Sequence, residues 1–439
     1  NILDVRDKFG NQVRGKITRG LQKEQITPPI RLNSRLNGKG QIPRELENEV
    51  FCDPPTPFET HSTRMFEMLR MLLQEKRYAD FSSGVQNLSN KEEIRDVLNV
   101  LAQLQNHHWD PKKGQRTFQL SAISQSVQSL LDSIPIPAAK IKTGMMRLTA
   151  SQAWEQTIPS PNESSDTLVI DAFKFPNEGP EAVSRIIAET HKKGWRNFIV
   201  YRCRGDRFIG CGLGSKTGDV RIDVFGSSGD YLGSGMDGAQ IYVHGDAQDQ
   251  VGQILKSGKI VIFGDVGQTF LYGAKGGEAY VMGSAAGRPL INAVGRIRAI
   301  INGTCLDYCA ESFMAGAHTG GGFVIINGLA FDERGEVLGL EMKYPGNNLF
   351  SLASGGACYL NDPYHTVIEN QLNGAEFIAF RREDWNIISP YLKENEKLFG
   401  ISIRSDVLMV DGVLKWPEEV FRKIIATRET EELDWTSLD

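Results

Sequence analysis

From Arg221 onward, short aliphatic strands end at Gly226, Gly245, Gly264, Gly283 and Gly303, at steps of 19, 19, 19 and 20 residues. Gly328 follows after a longer step of 25. A fixed period near 20 residues is the mark of a solenoid, in which each repeat buries its apolar face only against its neighbours. Two places before these glycines stand Val224, Val243, Ile262, Val281 and Ile301; four places before stand Ile222, Ile241, Ile260, Ala279 and Ala299. Side chains alternate along a strand, so both sets point to one face and predict an internal stack. The places between them, Phe225, His244, Phe263, Met282 and Asn302, are mixed and suit an outer face covered by other structure.

One place after each glycine comes Ser227, Asp246, Asp265, Ser284 or Thr304, a small polar ladder at a corner. Asp and Ser can bond nearby backbone amides there, and the glycine allows a left-handed conformation or a close approach. Two stacked carboxylates, Asp246 and Asp265, could instead share a cation, but amide bonding is favoured. Coils of about 19 residues leave room for three short strands each. A leucine-rich repeat has a similar period, but its LxxLxL strand and asparagine ladder are absent. The run Gly210-Cys211-Gly212-Leu213-Gly214 is not followed by a helical pattern, which argues against a dinucleotide-binding turn.

The predicted fold is therefore mainly β with α: a right-handed parallel β-helix over 205–380 with four flanking segments. Residues 1–57 read as an extended, proline-containing arm that gains order on a partner. Residues 58–135 are helical, with a Met65, Met68, Leu69, Met71, Leu72, Leu73 stripe, a helix opened by Asn90-Lys91-Glu92-Glu93, and a third through Ile123, Val127, Leu130 and Leu131. The methionine-rich stripe reads as packed core. Residues 136–204 are a linker and a small strand–helix–strand cap. Residues 381–439 are a C-terminal cap, with helices at Trp385–Glu396 and Pro417–Thr427 and a strand-like stretch Ser405–Lys415.

The net charge of −5 and pI of 5.9 give no footprint for nucleic acid. With no apolar run of membrane-spanning length and no signal-peptide core at the start, a soluble, cytoplasmic protein is expected. Six cysteines, at 52, 203, 211, 305, 309 and 358, form no CxxC. Cys203, Cys211, Cys305 and Cys309 read as small buried thiols, with metal ligation and redox chemistry as the alternatives. His107-His108-Trp109 follows a helix and suits a surface or capping role. Arg288, Arg296 and Arg298 are the basic group near the Asp ladder, and Arg296 and Arg298 share one face, which leaves an anion or partner contact open. No catalytic, cofactor-binding or metal-binding residue is assigned.

Three stretches carry a family resemblance. They are Gly245-Asp246-Ala247-Gln248-Asp249-Gln250-Val251-Gly252; Val266 to Val281 through Gly267-Gln268-Thr269-Phe270-Leu271-Tyr272-Gly273-Ala274-Lys275-Gly276-Gly277; and Gly303-Thr304-Cys305-Leu306-Asp307-Tyr308 with Met314-Ala315-Gly316. Over about 205–375 the chain resembles the C-terminal GXGXG domain of the glutamate synthase large subunit. The same domain forms the C subunit of formylmethanofuran dehydrogenase and of the related formyltransferase/hydrolase complex. Glutamate synthase's amidotransferase domain and its FMN-binding barrel with an iron–sulfur cluster have no counterpart here. In that family the β-helix is a spacer holding active sites in position. The resemblance thus implies a scaffold subunit of an iron–sulfur flavoprotein oxidoreductase complex, with FMN or FAD and clusters in partner subunits. An enzyme in its own right, formyl-transferring or carbohydrate-active, is the competing expectation.

Overall fold

The computed structural model describes residues 61–107, 109, 115–136, 144–155, 158–317, 320–332 and 336–427. The arm expected at 1–57, Cys52, His108 and the end of the tail beyond 427 lie outside the described residues.

Four helices come first: α1 (His61–Gln74), α2 (Tyr78–Ser89), α3 (Ile94–Asn106) and α4 (Gln115–Asp132). In α1 the i, i+4, i+8 set Met65, Leu69 and Leu73 is buried, while Met68 and Met71 are 45% and 52% exposed. Two of the six residues of the methionine-rich stripe are thus surface, because they lie off the inward face. Helix α2 is not legible in the sequence: it is rich in serine and carries Gly84, all poor helix formers. Packing supplies what propensity lacks. Phe81 and Val85 are buried one turn apart, and Gly84 brings the helix against Leu69.

Strands β1 (Met145–Leu148), β2 (Thr167–Asp171), β3 (Asn197–Asp206), β4 (Arg221–Ser228), β5 (Asp237–His244), β6 (Ser257–Ile262), β7 (Glu278–Val281), β8 (Arg298–Ile301) and β9 (Phe323–Ile326) lie side by side in chain order. Short helices α5 (Ala150–Glu155) and α6 (Val183–Lys192) connect the first three. A small hairpin, β10 (Leu329–Phe331) with β11 (Val337–Gly339), interrupts the array before β12 (Ala357–Asn361) joins β9 in parallel. Ten neighbouring strands are thereby parallel, and the strands expected as a separate small cap belong to the same sheet as the coils.

The register confirms the aliphatic stack and lengthens it. Ile222, Ile241, Ile260, Ala279 and Ala299 are aligned strand to strand, continuing back to Phe198 and Leu168 and on to Val324 and Cys358. Val224, Val243, Ile262, Val281 and Ile301 form the second row, and every residue of both rows is fully buried. The fold is a parallel β-solenoid.

The coils differ from the expected three strands. Each has one ladder strand, then a single bridge (Ser228 to Ala247, Ala247 to Val266, Val266 to Ala285), then a left-handed corner. In that corner, φ is positive at alternate residues: Tyr231, Gly233 and Gly235 in one coil, Gln250, Gly252 and Ile254 in the next, then Thr269, Leu271 and Gly273. Residues with a Cβ are uncommon in this region. Here the conformation is held by bonds between coils: the Gln250 N–H donates to Gln268 O at 2.8 Å, and Leu271 N–H to Val251 O at 2.8 Å.

The C-terminal part corrects the reading of the tail. Helix α7 (Arg382–Phe399) is present as expected around Trp385–Glu396. Ser405–Lys415, however, holds a π-helical turn, Ile403–Val407, and a two-residue hairpin, β14 (Met409–Val410) with β15 (Val413–Leu414). Pro417–Thr427 is helical only in α8 (Pro417–Val420); β16 (Phe421–Ala426) then pairs antiparallel with β12 on one side and β13 (Ala375–Ile378) on the other. An open sheet edge leaves backbone groups unpaired, and β16 covers it while adding Ile424 and Ala426 to the core.

Candidate functional site

The outer face of the solenoid sheet is roofed from both ends. Helices α1, α3 and α4 pack on Val169, Ile199, Tyr201 and Phe225, while α7 packs on Val261, Tyr280, Ile300 and Phe323. Between the roofs two neighbouring cavities open over the floor, of about 500 Å³ beside α3 and about 520 Å³ beside α7.

The first cavity is floored by an ion network. Arg221 grips Asp223 with two nitrogens at 2.7 and 2.9 Å, and its guanidinium lies 4.2 Å from the Tyr242 ring centroid. Asp223 Oδ1 is 3.3 Å from His244 Nε2, and His244 Nδ1 meets the Asn106 amide of α3 at 3.1 Å. The imidazole is stacked between Phe225 and Phe263, with centroids at 4.4 and 5.3 Å. Burial pushes the Asp223 carboxyl up, but its bonds to His244 and Arg221 outweigh this and hold it below the usual carboxylate range. Both ring nitrogens of His244 have partners, one on α3 and one on β4, so the network joins helix to sheet. A second network does the same. Asp132 of α4 bonds Arg147 at 2.9 Å and Tyr201 at 2.6 Å, and pairs with Arg202. Sequence reasoning missed both, since their members lie up to 138 residues apart; only the coil register could have set Asp223 beside His244.

In the second cavity Lys259 pairs with Glu394 of α7 at 2.8 Å and with Glu278 at 3.7 Å. Arg296 and Arg298 do share this cavity. Arg298 is buried, lies against the Phe323 ring, and donates to the Gly321 carbonyl and the Tyr391 hydroxyl. Arg296 is exposed. Arg288 sits elsewhere, over the Tyr308 ring at a left-handed corner. Burial raises the Asp265 carboxyl of the ladder above its ordinary range, with the amide bond from Ser284 and, more weakly, the charge of Arg116 in α4 opposing it.

The ladder itself bonds amides. Asp246 Oδ1 accepts the Asp265 N–H at 2.9 Å, Asp265 Oδ1 the Ser284 N–H at 2.7 Å, and Ser284 Oγ the Thr304 N–H at 3.1 Å. A second ladder, Asp230 to Asp249 to Gln268, runs beside it.

Cys203, Cys305, Cys309 and Cys358 are buried, free thiols inside the coils. Hydrogen bonding to Cys305, together with burial, raises the Cys309 thiol well above its ordinary range. Cys211 is pushed up to about 12 by burial, and its thiol points at the Tyr231 carbonyl at 3.1 Å. Among the described residues, no three His, Cys, Asp or Glu side chains converge on a metal-sized site. His107 closes the C-terminus of α3, its ring edge-on to Trp109.

A filled parallel solenoid, with a glycine and a small acidic or hydroxyl residue repeated at one corner of each coil, defines a structural class rather than a reaction. The comparison with known families agrees: residues 204–410 match the family model described as GXGXG motif, the domain found at the C-terminus of glutamate synthase. No curated protein matches the chain. Among the described residues no helix is long and apolar enough to cross a membrane.

Proposed function

We propose that this chain is a structural subunit, a glutamate-synthase-like β-solenoid that spaces and holds catalytic partners in a cytoplasmic multi-subunit oxidoreductase complex. The observation that carries the reading is the double aliphatic stack, continuous through ten parallel strands and fully buried over the coils. A filled interior makes a stiff body, because close-packed cores deform little. On the outer face the Asp223–His244–Asn106 network and the Lys259–Glu394 pair fix α3 and α7 to that body. Flavin and iron–sulfur cofactors belong, on this reading, to partner flavoprotein and iron–sulfur subunits, and the chain itself carries no membrane span and binds no nucleic acid.

Affinity purification of the tagged chain from native extract, followed by native mass measurement and visible spectroscopy, tests this. The expected result is a coloured assembly with stoichiometric partners, while the chain purified alone is colourless. Partners related to formylmethanofuran dehydrogenase or a formyltransferase/hydrolase would redirect the assignment to that complex. A lone, coloured or catalytically active chain would refute the structural role.

A further inference from the structure

The coil after β9 is lengthened by the β10–β11 hairpin, and the chain returns through Lys343. This lysine is 3% exposed. Its stem runs through the space a Cβ on Gly328 would take, and its Nζ donates to the Gly328 carbonyl at 3.0 Å. Among the described residues the Lys343 Nζ makes no other hydrogen bond and no ion pair. Asp362 is near enough to act on it through space but is already committed: Oδ1 accepts from Thr366 N and Oγ1 at 2.7 and 2.8 Å, and Oδ2 from Val367 N and Arg422, both at 3.0 Å. A buried ammonium without a partner is costly and sheds its proton readily. Burial brings Lys343 down to about 8.

Lys343 also lines a cavity of about 270 Å³, walled by apolar Leu329, Val407, Met409 and Val410 and by the carboxyl of Asp406. Burial raises the Asp406 carboxyl above its ordinary range. We infer that this cavity captures a small aliphatic aldehyde or ketone through Lys343, whose Nζ adds to the carbonyl carbon and expels water to leave an imine. The two amine hydrogens leave with the carbonyl oxygen, and no oxidant or reductant is needed. Asp406 is the group on the wall that can lend and recover the proton. An anionic ligand is disfavoured, because Asp406 and Glu341 share the lining; a neutral carbonyl is not repelled. The space suits a ligand at or below the small end of the usual pocket range, on the order of 300 Å³. The site lies between the insertion, the segment that follows β12 and the C-terminal part, outside the aliphatic stacks, so it stands or falls apart from the structural role.

The test is reductive trapping. The full chain is treated near neutral pH with butanal and cyanoborohydride, then digested and mapped by mass spectrometry. Lys343 is expected to be alkylated on the order of tens of times faster than exposed lysines such as Lys393, since each unit of pKa is tenfold in free amine. The yield should rise to a plateau just above pH 8. Lys343→Met abolishes the mark. Leu340→Trp, which keeps the lysine and fills the cavity, should remove the preference while circular dichroism stays native. Labelling of Lys343 no faster than Lys393, or labelling indifferent to Leu340→Trp, would overturn the inference.

Discussion

The carboxylate of Asp246 and the amide of Asp265 meet across two coils: Oδ1 accepts the N–H at 2.9 Å, in the space left open by the missing side chain of Gly264. A Cβ on Gly264 would overlap that oxygen, well inside the 3.0 Å limit of real contacts, and the same holds for Gly283 against Asp265. Neither glycine has a positive φ, so close approach and not a left-handed backbone fixes them. Gly226 is the exception among the strand-ending set up to Gly303, with φ of 116°.

Gly264→Ala should therefore cost about 3 kcal/mol or more in denaturant-measured stability, through lost bonding and displaced backbone. Asp246→Ala in the same background should recover part of the loss, because the two sites share one space. A Gly264→Ala chain as stable as the parent would refute the explanation.

Asp223 gives a pH dependence with a definite sign. Its folded-state carboxyl lies below the unfolded value, so the unfolded chain binds more protons over that interval. The stability it contributes is fully present above the unfolded value near 3.9 and is lost as pH falls through the lower, folded one. Asp223→Asn should lose about 2 kcal/mol at neutral pH and flatten the acid limb of the stability profile. Unfolding midpoints measured from neutral pH downward check both.

Lys423 and Asp384 form a buried pair at 2.7 Å beneath α7, with Tyr359 Oη also donating to Asp384 at 2.9 Å. Removing one partner leaves a buried charge, so Lys423→Met should cost about 3–5 kcal/mol. Asp384→Asn/Lys423→Met should recover more than half, since the amide oxygen still accepts from Tyr359. Thermal unfolding of the three chains separates lost pairing from lost packing.

Four thiols should be silent in the native protein. Cys203, Cys309 and Cys358 are raised by burial or by a neighbouring thiol, and Cys305 is fully enclosed. Iodoacetamide at mildly alkaline pH is expected to leave all four unmodified until denaturant is added. Rapid native labelling of Cys305 or Cys309 would instead indicate an accessible redox pair.

Much of the solenoid was legible because its signal is repeated. One aliphatic register recurring every 19 or 20 residues is hard to satisfy by anything but stacked strands. The polar ladder was legible for the same reason, including its amide bonding. The left-handed corners were not: Tyr231, Gln250, Thr269 and Arg288 have no intrinsic preference for positive φ, and only bonds to adjacent coils hold them there. Strand β16 was misread as helix because its conformation follows from an unpaired edge supplied by β12. Helix α2 was missed because its packing against Leu69, not its composition, makes it a helix.

By itself, then, the sequence determined the coil, its period, its inward face and the family it resembles, since all of these are local patterns written many times over. The tertiary structure decided what meets across coils and across the sheet. It set His244 on Asp223 and Asn106, closed the open edge with β16, and enclosed Lys343 without a carboxylate partner. Those outcomes depend on distances between residues tens to hundreds of positions apart, which no local period encodes.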